Sequence, residues 1–122
     1  MKQELNEVEI NGVKYVRKDL SEPAVEYNGM PYVIIRTYSA GVHAGYLKSR
    51  TGKEVELIKS RRIWYWDGAA SLSQMAVSGV TNPGNCKFTM EVQKIILTEA
   101  IEIIPCTESA RINIQEVPVW KK

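Results

Sequence analysis

The mid-chain run Lys59-Ser60-Arg61-Arg62-Ile63-Trp64-Tyr65-Trp66-Asp67-Gly68-Ala69-Ala70-Ser71 sets three cations before three consecutive aromatics and ends at a strand-to-helix junction. A guanidinium offers phosphate oxygens a planar donor fork, an indole or phenol stacks on a nucleobase, and a helix start presents free backbone N–H groups. These are the parts of a nucleotide pocket. Strand alternation puts Trp64 and Trp66 on one face with Arg62, and Tyr65 on the other with Arg61. Ser71, Ser73, Gln74, Asn82 and Asn85 follow as polar groups able to read a base edge. A competing reading stands beside this one. A Trp-Tyr-Trp run also suits a sheet core edged by snorkelling arginines, and the Asp67 carboxylate would repel a phosphate at the helix start.

Catalytic arrangements are scarce by comparison. Nucleophilic catalysis needs a base within hydrogen-bond reach, and His43 is the only histidine. It lies in the small-residue stretch Ser39-Ala40-Gly41-Val42-His43-Ala44-Gly45, read as a loop. Cys86 and Cys106 have no helix-start or glycine-rich context to lower a thiol pKa. His43, Cys86 and Cys106 also lack the close pairing of structural zinc ligands. Carboxylate pairs, Glu99 with Glu102 or Glu54 with Glu56, are available for glycosidic chemistry, but the second pair shares a strand face suited to solvent. The residues point to a binding protein with no cofactor, no metal and no catalytic centre.

A chain of 122 residues is one domain's length. With 44% hydrophobic and 25% charged residues, it has the composition of an ordinary globule. It has neither a run long enough to span a membrane nor a secretion signal, so a cytosolic protein is expected. The formal charge is +2, unevenly spread. Residues 1–30 carry four basic and six acidic side chains, residues 31–66 seven and two, and residues 67–122 five and six. A local excess of +5 suits one compact anion better than duplex DNA, which needs phosphate contacts over a wide face.

The elements that must hold these residues follow from turns and periodicity. Residues 8–16 read as a hairpin about Asn11-Gly12, and residues 19–31 as an irregular connection to a main body over 31–120. Tyr32–Tyr38 is β-branched and aromatic, as a strand should be. Tyr46–Arg50 and Val55–Trp66 form a hairpin about Thr51-Gly52-Lys53-Glu54. Its second strand changes apolar parity, which calls for a bulge near Lys59-Ser60. Asp67 is the expected N-cap of a short helix ending at Gly79, with Leu72, Met75 and Ala76 on one face. Residues 80–93 read as a loop and Lys94–Pro105 as one strand, and Thr107 caps a last helix, 108–116. The fold class expected is α+β: an antiparallel sheet of four to five strands, the N-terminal hairpin, a short helix after residue 67 and a C-terminal helix.

Three phrases carry a resemblance. Val33–Gly45, Arg61–Gln74 and Ile95–Ala100 resemble a family of small bacteriophage and prophage proteins, identified as the first family of Thoeris anti-defence proteins. The resemblance covers residues 31–120 and omits the hairpin. It implies a sponge that binds glycocyclic ADP-ribose, the signal made from NAD by Toll/interleukin-1-receptor (TIR) domain enzymes, and holds it intact in the cytoplasm of the infected bacterial host. It also implies a homo-oligomer with pockets between protomers, and for some members a separate basic site for cyclic oligonucleotides. Neither DNA nor membrane is a partner. Joined to the chemistry above, this assigns pyrophosphate to Arg61 or Arg62, adenine stacking to Trp64, Tyr65 or Trp66, and polar edges to Ser71, Gln74 or Asn85. Arg36 and His43 are secondary candidates, and Arg111 is placed to reach in from a neighbouring subunit. The alternatives are a phage inhibitor that contacts a host protein and an enzyme that degrades the signal.

Overall fold

The computed structural model describes residues 7–10, 13–16 and 20–121, with side-chain surroundings from residue 20 onward. β1 (Glu7–Ile10) and β2 (Val13–Val16) pair antiparallel as a separate two-stranded ribbon. Their expected Asn11-Gly12 turn lies outside the described residues. The connection that follows contains one tight turn: Tyr27 and Met30 exchange backbone bonds of 3.0 and 2.9 Å around Asn28 and Gly29, both at positive φ.

The main body is an antiparallel sheet of six strands with two helices, an α+β fold. β3 (Tyr32–Thr37), β4 (Val42–Thr51) and β5 (Glu54–Tyr65) pair in sequence order. β6 (Lys87–Phe88) and β7 (Val92–Leu97) share the far edge of β5, and β8 (Ala100–Pro105) pairs with β3. The expected single strand from Lys94 to Pro105 is therefore two strands, and the 80–93 loop contains β6 and the start of β7. β7 and β8 are separated only by Thr98-Glu99 yet pair at opposite sides of the sheet. Two residues cannot cross a flat sheet of that width. The sheet curls until its two sides meet at that turn, where Ala100 N–H donates to the Lys53 carbonyl at 2.9 Å.

Curling buries both faces of β3, whose Tyr32, Val33, Ile34 and Ile35 are all at most 1% exposed. Val33 and Ile35 join Val55, Leu57 and Leu97 inside the curl. Tyr32 and Ile34 face the other way, with Ala44, Tyr46, Ile58, Ile63 and Phe88, onto α1 (Leu72–Ser78) and α2 (Glu108–Glu116). The bulge sits where parity required it: Lys59 has φ 53°, and the register slips between Ala44 and Tyr46. Gly45 lies opposite, where a Cβ would stand 3.0 Å from the Ser60 Cα and 3.1 Å from the Ile58 carbonyl oxygen, so a larger residue would have to push the backbone of β5 away. α2 begins as expected, with Thr107 Oγ1 accepting from Ala110 N–H at 3.1 Å. No helix among the described residues is long and apolar enough to cross a membrane.

Candidate functional site

The structure divides the expected site into three groups. The first is buried. Arg61 is 3% exposed, and its guanidinium is committed to backbone carbonyls. Nε donates to Thr89 O at 2.8 Å, Nη1 to Ile114 O and Val117 O at 2.9 and 2.8 Å, and Nη2 to Phe88 O and Pro118 O at 3.2 and 3.4 Å. This is a cation at the C-terminal end of α2, adding its donors to carbonyls there, of which Ile114 O also accepts from Val117 N–H at 3.4 Å. Burial pushes its pKa down, opposed by Tyr32 and Glu91. The expectation that Arg61 meets pyrophosphate is corrected: its donors are already in use.

His43 is also fully buried, on β4 and not in a loop, and its Nε2 bonds Ala40 O at 2.9 Å. Burial lowers its pKa, the bond to Ala40 raises it and Arg62 lowers it. The neutral ring so favoured donates from Nε2, leaving Nδ1 bare and without a partner. Arg111 is held on α2, donating to both Glu108 carboxylate oxygens and to Gln115 Oε1 at 2.8 Å. Gln115 in turn donates to Tyr46 Oη at 3.1 Å. Arg111 is a brace of its own subunit, which corrects its expected reach into a neighbour.

The second group builds the junction after β5. Ser71, not Asp67, is the N-cap of α1: its Oγ accepts from Gln74 N–H at 3.1 Å, while Gln74 Oε1 accepts from Ala70 N–H at 2.8 Å. These reciprocal bonds form a capping box shifted by one residue. They occupy the groups that were expected to read a base. Asn85 and Asn82 donate to Asp67 Oδ2 at 2.7 and 2.8 Å, and these two bonds hold the Asp67 pKa below the usual carboxylate range. Gly68 (φ 105°) lets the chain pass so close to Thr81 that a Cβ would stand 2.5 Å from its backbone nitrogen. Trp66 belongs here too, half-buried against the helix-side core with Nε1 donating to Ala69 O at 3.2 Å. Ser71, Gln74, Asn85 and Trp66 thus each bond within the junction between β5 and α1, and the structure brings none of them to the Trp64 side chain.

The third group faces outward. Along β5 the register steps from Ile63–Phe88 to Tyr65–Lys87, leaving Trp64 as an extra, bulged residue. Trp64 is 59% exposed and stacks on Trp120, with ring centroids 5.2 Å apart and planes 25° apart. The Lys87 ammonium lies 5.1 Å from the Trp64 ring and 5.5 Å from the Trp120 ring. Trp120 is carried by the segment after α2, whose Trp120 N–H donates to Phe88 O at 2.8 Å beside a parallel bridge from Val119 to Phe88. Tyr65 is 45% exposed on the same stretch. Arg62 is exposed as well, with Nη1 donating to Ala40 O at 3.2 Å. Arg36 is exposed but lies across the sheet, paired with Glu102 at 2.9 Å. Lys87 and Trp120 are additions that sequence reasoning missed. Their one signal is a tryptophan set among cations, in Pro118-Val119-Trp120-Lys121-Lys122.

Chemically, this third group is a flat aromatic surface flanked by cations. A heteroaromatic ring stacking on such an indole gains about 1–3 kcal/mol, and an ammonium or guanidinium at its rim accepts an anionic substituent.

The fold and this surface define a small α+β domain with an aromatic and cationic platform beside an edge strand. The chain belongs to the family described as domain of unknown function DUF6948, whose model matches residues 30–114. That span holds Arg62, Trp64, Tyr65 and Lys87, begins after the ribbon and stops short of Trp120. No curated protein and no solved structure matches.

Proposed function

We propose that the protein binds and sequesters, without cleaving it, a cyclic ADP-ribose-type immune signal, with glycocyclic ADP-ribose of Thoeris systems as the ligand. The observation that carries the reading is the exposed Trp64–Trp120 stack with Lys87 over both rings and Arg62 beside it in sequence. Adenine stacks on the open face of Trp64, and pyrophosphate takes Lys87 and Arg62. The platform is open, so a second subunit covers the ligand and slows its release by keeping water away from it. The resemblance of Val33–Gly45, Arg61–Gln74 and Ile95–Ala100 supports the choice of ligand. Burial pushes the Cys106 thiol pKa up to about 12, and the His43 ring is tied to Ala40; both facts favour holding a ligand over converting it.

The test is incubation of the protein with glycocyclic ADP-ribose, a thermal melt, and analysis of what the heated protein releases. Binding raises the melting temperature in proportion to RT ln(1 + [L]/Kd), and the ligand is recovered intact. A converted product would identify an enzyme. No stabilisation at large excess would leave the exposed aromatics as a contact for a host protein.

A further inference from the structure

Where the curled sheet brings the start of β8 against the β4–β5 turn, a groove of about 430 Å3 opens between the two. That volume is in the range of small-molecule sites, which favour the mouths of curled and closed sheets. None of its lining residues belongs to the Trp64–Trp120 surface.

One wall is aliphatic. Ala100 and Ile103 line the groove and also pack on the cluster of Val33, Ile35, Val55, Leu57 and Leu97 inside the curl, so the groove opens onto the rim of that cluster. Ile101 stands between them. From Glu102 to Ala100 the chain takes two steps while β3 takes one, from Arg36 to Thr37, which makes Ile101 the extra residue of a bulge. Bulges re-aim side chains, and this one leaves an isoleucine 46% exposed in the groove. The other wall is cationic, with Arg50 and Lys53 on either side of the turn. Arg50 Nε donates to Gly52 O at 2.9 Å, and neither cation has a carboxylate partner among the described residues. The backbone that carries them is tied to the aliphatic wall, because Ala100 N–H donates to Lys53 O at 2.9 Å. Glu102, the acid of the lining, is paired with Arg36. Two cations and one carboxylate give the lining a formal charge of +1.

These walls select their occupant. An inorganic anion would leave the isoleucines wet, a neutral hydrocarbon would leave both cations unused, and a second negative charge would face Glu102. A peptide strand added at Ala100 would have to displace the Lys53 carbonyl. We infer that the groove binds a free aliphatic monocarboxylate, a fatty-acid-type ligand, with its chain along Ala100, Ile101 and Ile103 and its carboxylate on Arg50 and Lys53. A guanidinium fork matches a carboxylate, and the ammonium adds a point charge beside it. This goes beyond the cyclic-nucleotide reading and does not depend on it.

The experiment titrates sodium decanoate, kept below its micellar concentration, into the full-length protein by calorimetry. Sodium acetate supplies the head without the chain, and decyltrimethylammonium the chain with the opposite charge. Decanoate should bind saturably at one site, acetate not at all, and decyltrimethylammonium about tenfold or more weakly. Octanoate, two methylenes shorter, should lose up to about tenfold in affinity. Arg50→Gln with Lys53→Gln should weaken decanoate binding about tenfold or more. Ile101→Ser, at an exposed position, should weaken it several-fold with an unchanged melting temperature, and Trp64→Ala should leave it unaltered. Absence of saturable binding overturns the proposal, as does equal binding of decyltrimethylammonium or an affinity indifferent to chain length. Loss of binding in Trp64→Ala with no loss in the groove variants overturns it too, by placing the amphiphile on the aromatic surface. Should the double variant fail to fold, Ile101→Ser and the comparison of head groups decide the matter.

Discussion

Arg61 lies on the helix-packed face of β5, where carbonyls from β6, α2 and the C-terminal segment surround its guanidinium. Arg62, one residue on, holds a single carbonyl and faces out beside the bulged Trp64. The two regions use the same chemistry, cations against aromatic rings and oxygens. In one, every donor is saturated by the protein: Arg61 also sits 5.4 Å from the Phe88 ring. In the other, Trp64 stays 59% exposed while stacked on Trp120, with Lys87 against both rings. A cation–aromatic motif is a binding site only where the fold has left its donors unfilled.

Four substitutions or conditions test that contrast. Arg61→Ala should have the largest effect, about 3 kcal/mol or more of lost stability, because it leaves buried carbonyls unpaired; urea denaturation measures it. A well-folded Arg61→Ala protein that only binds ligand poorly would return this residue to the site. Trp64→Ala should cost about 2 kcal/mol of ligand binding with stability nearly unchanged, read by calorimetric titration beside a melt. Ser71→Ala should cost about 1 kcal/mol of stability through the lost cap and leave titration with glycocyclic ADP-ribose unchanged. Altered affinity there would show that α1 touches ligand.

The smallest effect concerns pH. The folded state holds the His43 pKa below its unfolded value, so the unfolded chain binds the extra proton first. The contribution of His43 is fully present above the unfolded pKa of about 6.5 and is lost as pH falls from there toward the lower folded pKa. Stability should decline from pH 7.5 to pH 5.5, and His43→Asn should flatten that slope. An unchanged slope would mean the ring is not the group responsible.

Local signals in the sequence located much of the fold: the Thr107 cap, the Lys59 bulge required by parity, the Thr51–Glu54 turn and Gly79 closing α1. Features that depend on distant partners were not legible. The Thr98-Glu99 turn is polar but otherwise unremarkable, and only the closing of the sheet explains why one apolar run becomes two strands. Ser71 displaced Asp67 as cap because Asn82 and Asn85, fifteen and eighteen residues away, hold the Asp67 carboxylate. The same holds for the site. Plain alternation separated Arg61 from Arg62 correctly, but which of them lies inside is decided by carbonyls at positions 114–118. Trp120 joins Trp64 through a bond to Phe88 that no spacing announces.

The partners of Arg61 on α2 and beyond lie more than fifty residues further along the chain. While the chain is growing, β5 can pair with β4, but its arginine has nothing to fill that side of the sheet. The helix-side core therefore closes only once residues 114–118 are present, which brings residues more than fifty positions apart together. A nonsense mutation or proteolytic cut before residue 114 would leave a preformed sheet with a bare guanidinium where its core should be. Such fragments should be cleared by the quality-control proteases of the cell instead of persisting as partly active protein.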